Sequence, residues 1–133
     1  NTYRADSERY KSSASTIDVN VVSVDDMVYE RGTSPPKVMK IDVEGYEMNC
    51  LHGLGDYLTR GDVDMIQFEF GVATIDAKVF FKDFYHLLNP EYAIYRILKD
   101  GYYEIKNYNE VLEVFITTNY LVVSRKLQLK ASL

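Results

Sequence analysis

The sequence predicts an α/β fold with a mostly parallel sheet that finishes in hairpins. Three observations carry that reading. Two apolar runs, "KVMKIDV" and "VDMIQFEFG", alternate with segments of helical periodicity. After Pro90 the pattern changes to four short aromatic or β-branched runs, "YAIYRIL", "YYEIK", "VLEVFI" and "YLVVS". Between the first two of these lies Asp100-Gly101, a hairpin signal.

In chain order, residues 1–16 are polar and serine-containing and read as an arm or loop. "IDVNVVSV" (17–24) is β-branched and predicts a strand. Ser23 and Asp26 stand at S-x-x-D spacing, which starts a helix that Gly32 stops. "TSPPK" then forces an extended connection into the strand Lys37–Val43, which ends at Gly45. Met48, Leu51 and Leu54 follow at helical spacing, in a segment limited by Gly53, Gly55 and Gly61. Residues 63–71 read as a second buried strand.

The clearest predicted helix is "DAKVFFKDFYHLLN", capped by Asp76, with Ala77, Phe80, Phe81, Phe84, Leu87 and Leu88 as its apolar stripe. The organisation is therefore an arm (1–16), one α/β domain (17–124) and a tail (125–133), and 133 residues suffice for one domain but not two.

A net charge of −5 and a pI near 5.0 argue against a nucleic-acid footprint, which needs clustered Lys and Arg. Arg125, Lys126 and Lys130 make only a modest basic tail. Cys50 is the only cysteine, which suits a reducing, cytoplasmic compartment. No apolar run approaches the ~20 residues of a membrane span.

Carboxylates end the strand that begins at Lys37, and they are the informative feature. A buried ion costs on the order of several kcal/mol unless paired. Charges are tolerated at the carboxyl end of a parallel strand, where open α/β sheets place their ligand crevice. Side-chain direction alternates along a strand, so Asp42 and Glu44 should share one side. Glu69 occupies the matching late position of "IQFEFG". Asp42 and Glu69 are the expected catalytic pair, with Glu44, Glu47 and His52 as substrate- or cofactor-binding candidates. A plainer reading has Lys40 neutralising Asp42 or Glu69, and Glu47 as a first-turn acid favoured by the helix dipole. Mg²⁺ between Asp42 and Glu69 is chemically conceivable, but two acids do not establish a metal. Glu104-Ile105-Lys106 forms an E-x-K, as in some nucleases. The 12 tyrosines could stack on sugar rings or bases, although such residues are commonly half-buried in strands.

The segment "KIDVEGYEMNCLHGL" resembles the FkbM family of S-adenosylmethionine-dependent methyltransferases, whose signature is close to K-I-D-x-E-G-x-E. "VVSVDDMVYERG", "IQFEFG" and "IYRILKDGYYEI…TTNYLVVS" are similar to the family's flanking elements, so the resemblance covers roughly residues 17–124. It implies a Rossmann-like methyltransferase sheet, with 38–43 and 64–70 as its fourth and fifth strands and an antiparallel closing group. It also implies S-adenosylmethionine as donor and a hydroxyl of a sugar or natural product as acceptor, with Asp42, Glu44 and Glu69 bordering the crevice. The family's first strand and glycine-rich donor loop should lie upstream, yet no glycine precedes Gly32. The sequence thus reads as the C-terminal half of such an enzyme, expected to bind donor weakly or not at all alone. Strand 38–43 would expose an unpaired edge, so self-association along it, or its covering by residues 1–24, is expected. A non-catalytic half-domain used for binding or assembly is the alternative.

Overall fold

The computed structural model describes residues 19–131, so the expected arm at 1–16 lies outside the described residues. Five strands form one mixed sheet: β1 (Val38–Ile41), β2 (Met65–Phe70), β3 (Tyr92–Leu98), β4 (Gly101–Ile105) and β5 (Thr118–Ser124), in the order β1-β2-β5-β3-β4. β1 and β2 are parallel, with Ile41 paired to Phe68. β5 lies antiparallel to both β2 and β3, and β3–β4 is the expected hairpin, with Lys99-Asp100 in the turn and Gly101 already in the strand. The expected succession of parallel strands and an antiparallel closing group is therefore present, although among the described strands only β1–β2 is parallel. The last strand inserts between β2 and β3 and reverses every pairing beyond β2.

Among the described residues six helices accompany the sheet: α1 (Val24–Arg31), α2 (Glu47–His52), α3 (Asp56–Thr59), α4 (Val72–Asp76), α5 (Phe81–Leu88) and α6 (Arg125–Ala131). α1 starts and stops where its signals predict. Ser23 Oγ accepts from the Asp26 N–H, and Gly32 closes the helix at φ +59°. The Gly53 carbonyl accepts from the Val24 and Asp25 N–H groups, which seats the start of α1 on the end of α2. The expected strand at 17–24 is absent from its described part: residues 19–23 are irregular and Val24 is already helical. Its β-branched residues find no strand to pair with among the described residues.

One sheet face carries the core. Ile66, Phe68 and Phe70 of β2 and Tyr120 and Val122 of β5 face Phe81, Phe84 and Leu88 of α5, and all are fully or almost fully buried. Phe68 stacks on Phe84 at 4.7 Å between ring centroids, and Phe81 meets Tyr120 at 4.6 Å. Truncating any of these rings to Ala would cost about 3–5 kcal/mol.

The long helix expected from Asp76 is two helices. Asp76 ends α4 instead of capping, Lys78 turns left-handed at φ +56°, and Ala77 and Phe80 are exposed. Acids fix the start of α5: Asp83 accepts from the Phe80 N–H at 2.9 Å, and Glu113 accepts from Phe81 and Lys82 at 2.8 and 2.9 Å. That distant cap also explains why "VLEVFI" is not a strand. Residues 110–112 form a 3-10 turn, Glu113 leaves to reach α5, and Phe115 meets Phe70 at 5.2 Å. The tail expected at 125–133 is helical over its described part. α6 docks through Lys126 to Asp62 at 2.8 Å and Gln128 to the Tyr95 hydroxyl at 2.8 Å. Among the described residues no helix is long and apolar enough to cross a membrane.

Candidate active site

β1 ends at Ile41, whose side chain is buried against the core. The next residue, Asp42, emerges beside the end of β2, because the Ile41–Phe68 register continues toward Glu69. Lys40, two residues earlier on the same face, donates from Nζ to Asp42 Oδ2 at 2.7 Å. Both partners are about half exposed, so the pair fixes geometry more than it stabilises the fold. The hydrogen bond to Asp42 pushes the Lys40 ammonium up from its ordinary pKa.

Glu69 is half-buried at the end of β2. Burial pushes its carboxyl pKa up, and the charges of Asp42, Glu44 and Glu47 push it further, with Lys40 opposing. These acids therefore act on one another across the exits of two adjacent parallel strands. Asn119 of β5 pairs with Glu69 in register and accepts from Gln67 Nε2 at 2.9 Å, which supplies a polar flank on the same face. Asn119 carries no signal of its own in the sequence; only the strand pairing identifies it.

Glu44 is not on a strand, so period-two alternation does not place it. It sits exposed in a turn at φ +52°, a conformation that costs an ordinary residue about 1–3 kcal/mol. Glu47 holds that turn. Its carboxylate is 2% exposed and accepts from the Val43 N–H at 3.1 Å and the Gly45 N–H at 2.9 Å. It is thus committed to the backbone of the loop, where a substrate- or cofactor-binding side chain had been expected. Gly45, at φ +103°, approaches α4 so closely that a Cβ would lie 2.7 Å from the Ala73 carbonyl oxygen. Gly71, at the end of β2, stands equally close to the Thr117 backbone. Neither close approach is visible in the sequence beyond the glycine itself.

His52 is not brought to this cluster. It is exposed at the last position of α2, while Glu47, the acid of the cluster nearest to it in the chain, stands at that helix's first turn, some 7 Å away along the axis at about 1.5 Å per residue. Glu104 and Lys106 of the E-x-K lie on β4 or just beyond it, separated from β2 by β5 and β3, and their side chains stand 3.9 Å apart. They join no other acid of the cluster. Among the described residues no group of three or more His, Cys, Asp or Glu is arranged to hold a metal ion. What the arrangement offers is a carboxylate with raised proton affinity, flanked by a second carboxylate that a lysine orients.

The family model described as the methyltransferase FkbM domain matches residues 1–98, a span that includes every acid of this cluster. No curated protein and no solved structure matches the chain.

Proposed function

From the premise that the chain belongs to the FkbM methyltransferase domain family, we propose that it serves methyl transfer from S-adenosylmethionine to a hydroxyl group of a sugar or related natural product. The observation that carries this reading is the half-buried Glu69 carboxyl, its pKa raised beside Asp42 at the exit of the parallel pair. A general base works best when its pKa approaches the working pH, and an upward shift moves a carboxylate that way.

The donor, when bound, supplies a methyl carbon made electrophilic by a sulfonium. A negatively charged crevice fits that cationic centre, and Asp42 and Glu44 would face it. The described residues offer no glycine-rich loop to cradle the donor's nucleoside, so the fit is to its charged centre. Glu69 takes the proton from the acceptor hydroxyl and returns it to solvent. Asp42, steadied by Lys40 at 2.7 Å, orients that hydroxyl. Glu44 is exposed and free to bond a neighbouring hydroxyl of a polyol acceptor. Glu47 keeps the loop in shape. The lone Cys50 supports a cytoplasmic location for this chemistry.

Calorimetric titration of the full chain with S-adenosylmethionine and S-adenosylhomocysteine, followed by label transfer to a panel of sugars, tests the reading. Weak but saturable heat, in keeping with a chain whose described residues carry no glycine-rich donor loop, with any transfer falling roughly 10²–10⁴-fold in Glu69→Gln while donor binding persists, is the expected result. A folded chain that gives neither heat nor transfer overturns it in favour of a non-catalytic binding or assembly module.

A further inference from the structure

A groove of about 550 Å³ runs along β4, lined by six consecutive residues from Tyr102 to Asn107 and by Asn109 and Leu112. It lies apart from the acids. β4 is the far edge of the sheet, three strand spacings or about 14 Å from β2. Among the described residues β4 pairs only with β3. The groove therefore follows the open edge of a strand.

That edge has a defined hydrogen-bonding face. The hairpin closes at Leu98–Gly101 with two residues between them, so Arg96–Tyr103 and Ile94–Ile105 are the pairs that exchange bonds with β3. Tyr102 and Glu104 consequently turn their N–H and C=O groups outward. Their surroundings are apolar for an edge: Tyr102 is 73% exposed, Tyr103 61% and Leu98 50%. Edge strands are usually blunted by proline, a bulge or charged side chains; within Gly101–Ile105 β4 has neither proline nor bulge and a single charge, Glu104.

The segment "DGYYEIK", Asp100 to Lys106, is complementary to itself when reversed. With Tyr103 on a two-fold axis, Tyr102 lies opposite Glu104 of a second copy and Asp100 opposite Lys106. The outward backbone groups of Tyr102 and Glu104 then meet their counterparts as bonded pairs. The two Tyr103 rings meet at the closer, non-bonded position, where cross-strand aromatic pairs are favourable. Shifting the register by one step either way sets Glu104 against Glu104 or against Asp100. Charge thus selects a single alignment, and that alignment is between identical strands.

We propose that β4 is a homodimerisation edge, joining two copies into one continuous sheet through antiparallel β4–β4 pairing centred on Tyr103. The proposal stands independently of methyl transfer.

Sedimentation velocity of the full chain over a range of concentrations tests it. The expected result is a concentration-dependent dimer. Glu104→Pro removes an outward N–H without touching the β3–β4 ladder, so it should stay folded by circular dichroism and sediment as a monomer. Asp100→Lys and Lys106→Asp should each weaken the dimer by roughly tenfold, because two exposed ion pairs are lost per dimer. The double exchange should regain most of that loss, which a merely structural effect would not produce. The charge series also decides the matter should the proline variant unfold. A monomer at every concentration, a dimer indifferent to these changes, or a double exchange no better than its singles would overturn the proposal.

Discussion

The Gly45 N–H donates to the buried carboxylate of Glu47 at 2.9 Å, and this bond ties the turn after β1 to the first turn of α2. The acids at the strand exits depend on it, because Asp42 and Glu44 belong to the loop it closes.

Removing that carboxylate should therefore be felt in both stability and function. Glu47→Ala leaves the Val43 and Gly45 N–H groups without an acceptor, and the expected loss is about 2–3 kcal/mol. Urea unfolding would measure it. Methyl transfer should fall as well, since the turn that carries Glu44 would then rest on the longer bond from the Tyr46 N–H to the Val43 carbonyl at 3.3 Å. A Glu47→Ala chain of unchanged stability would remove Glu47 from this role.

Two glycines with positive φ separate strain from collision. At Gly32, φ is +59° and a Cβ would meet nothing within 4 Å, so Gly32→Ala should cost only about 1 kcal/mol in lost helix capping. At Gly45 the left-handed backbone is joined by the 2.7 Å approach to Ala73, whose carbonyl belongs to backbone and cannot swing aside. Gly45→Ala should lower the melting temperature clearly more than Gly32→Ala. Equal shifts would mean that the contact with α4 is loose.

The raised pKa of Glu69 makes a signed prediction about pH. A carboxyl that binds protons more tightly when folded costs the native state stability as pH rises through its titration. The cost begins near the ordinary carboxylate value of about 4.3 and is complete above the raised one. Glu69→Gln should be nearly neutral for stability at acid pH and stabilising at neutral pH, seen as a growing difference in urea midpoints. Lys40 lowers the Glu69 pKa, so Lys40→Met should move the acid limb of the methyl-transfer profile to higher pH. A limb that stays in place would exclude Glu69 as the titrating group.

What the sequence made legible was whatever local chemistry decides. Ser23 and Gly32 bound α1 because capping needs only neighbouring residues, and the strand expected at 63–71 forms as β2 over Met65–Phe70, although only alternate residues are buried. The hairpin signalled by Asp100-Gly101 forms, one residue earlier than the dipeptide suggests, because Gly101 already pairs with Leu98. Distant partners decided the rest. Glu113 acts on residues some thirty positions earlier, and its departure both breaks the expected strand at 111–116 and sets where α5 begins. The acids show the same division. Asp42 and Glu69 could be placed at strand exits from pattern alone, whereas the turn that carries Glu44 depends on the inward rotation of Glu47. His52 was judged by nearness in sequence, and one short helix was enough to carry it away.

The insertion of β5 between β2 and β3 has a consequence for how the chain emerges from the ribosome. β2 and the β3–β4 hairpin are both synthesised before residues 118–124 exist, and neither can neighbour the other directly in this sheet. At roughly 5–20 residues per second the flank of β2 that β5 will fill stays bare for seconds. Over that interval Phe68 lacks the Tyr120 ring that stacks on it and Phe70 the same ring that meets it edge-on. The polypeptide completes its sheet only as the final strand slides into the gap, so the nascent chain should be a client of ribosome-associated chaperones until then. A stop codon between residues 106 and 118 would leave two half-sheets with no seam to join them.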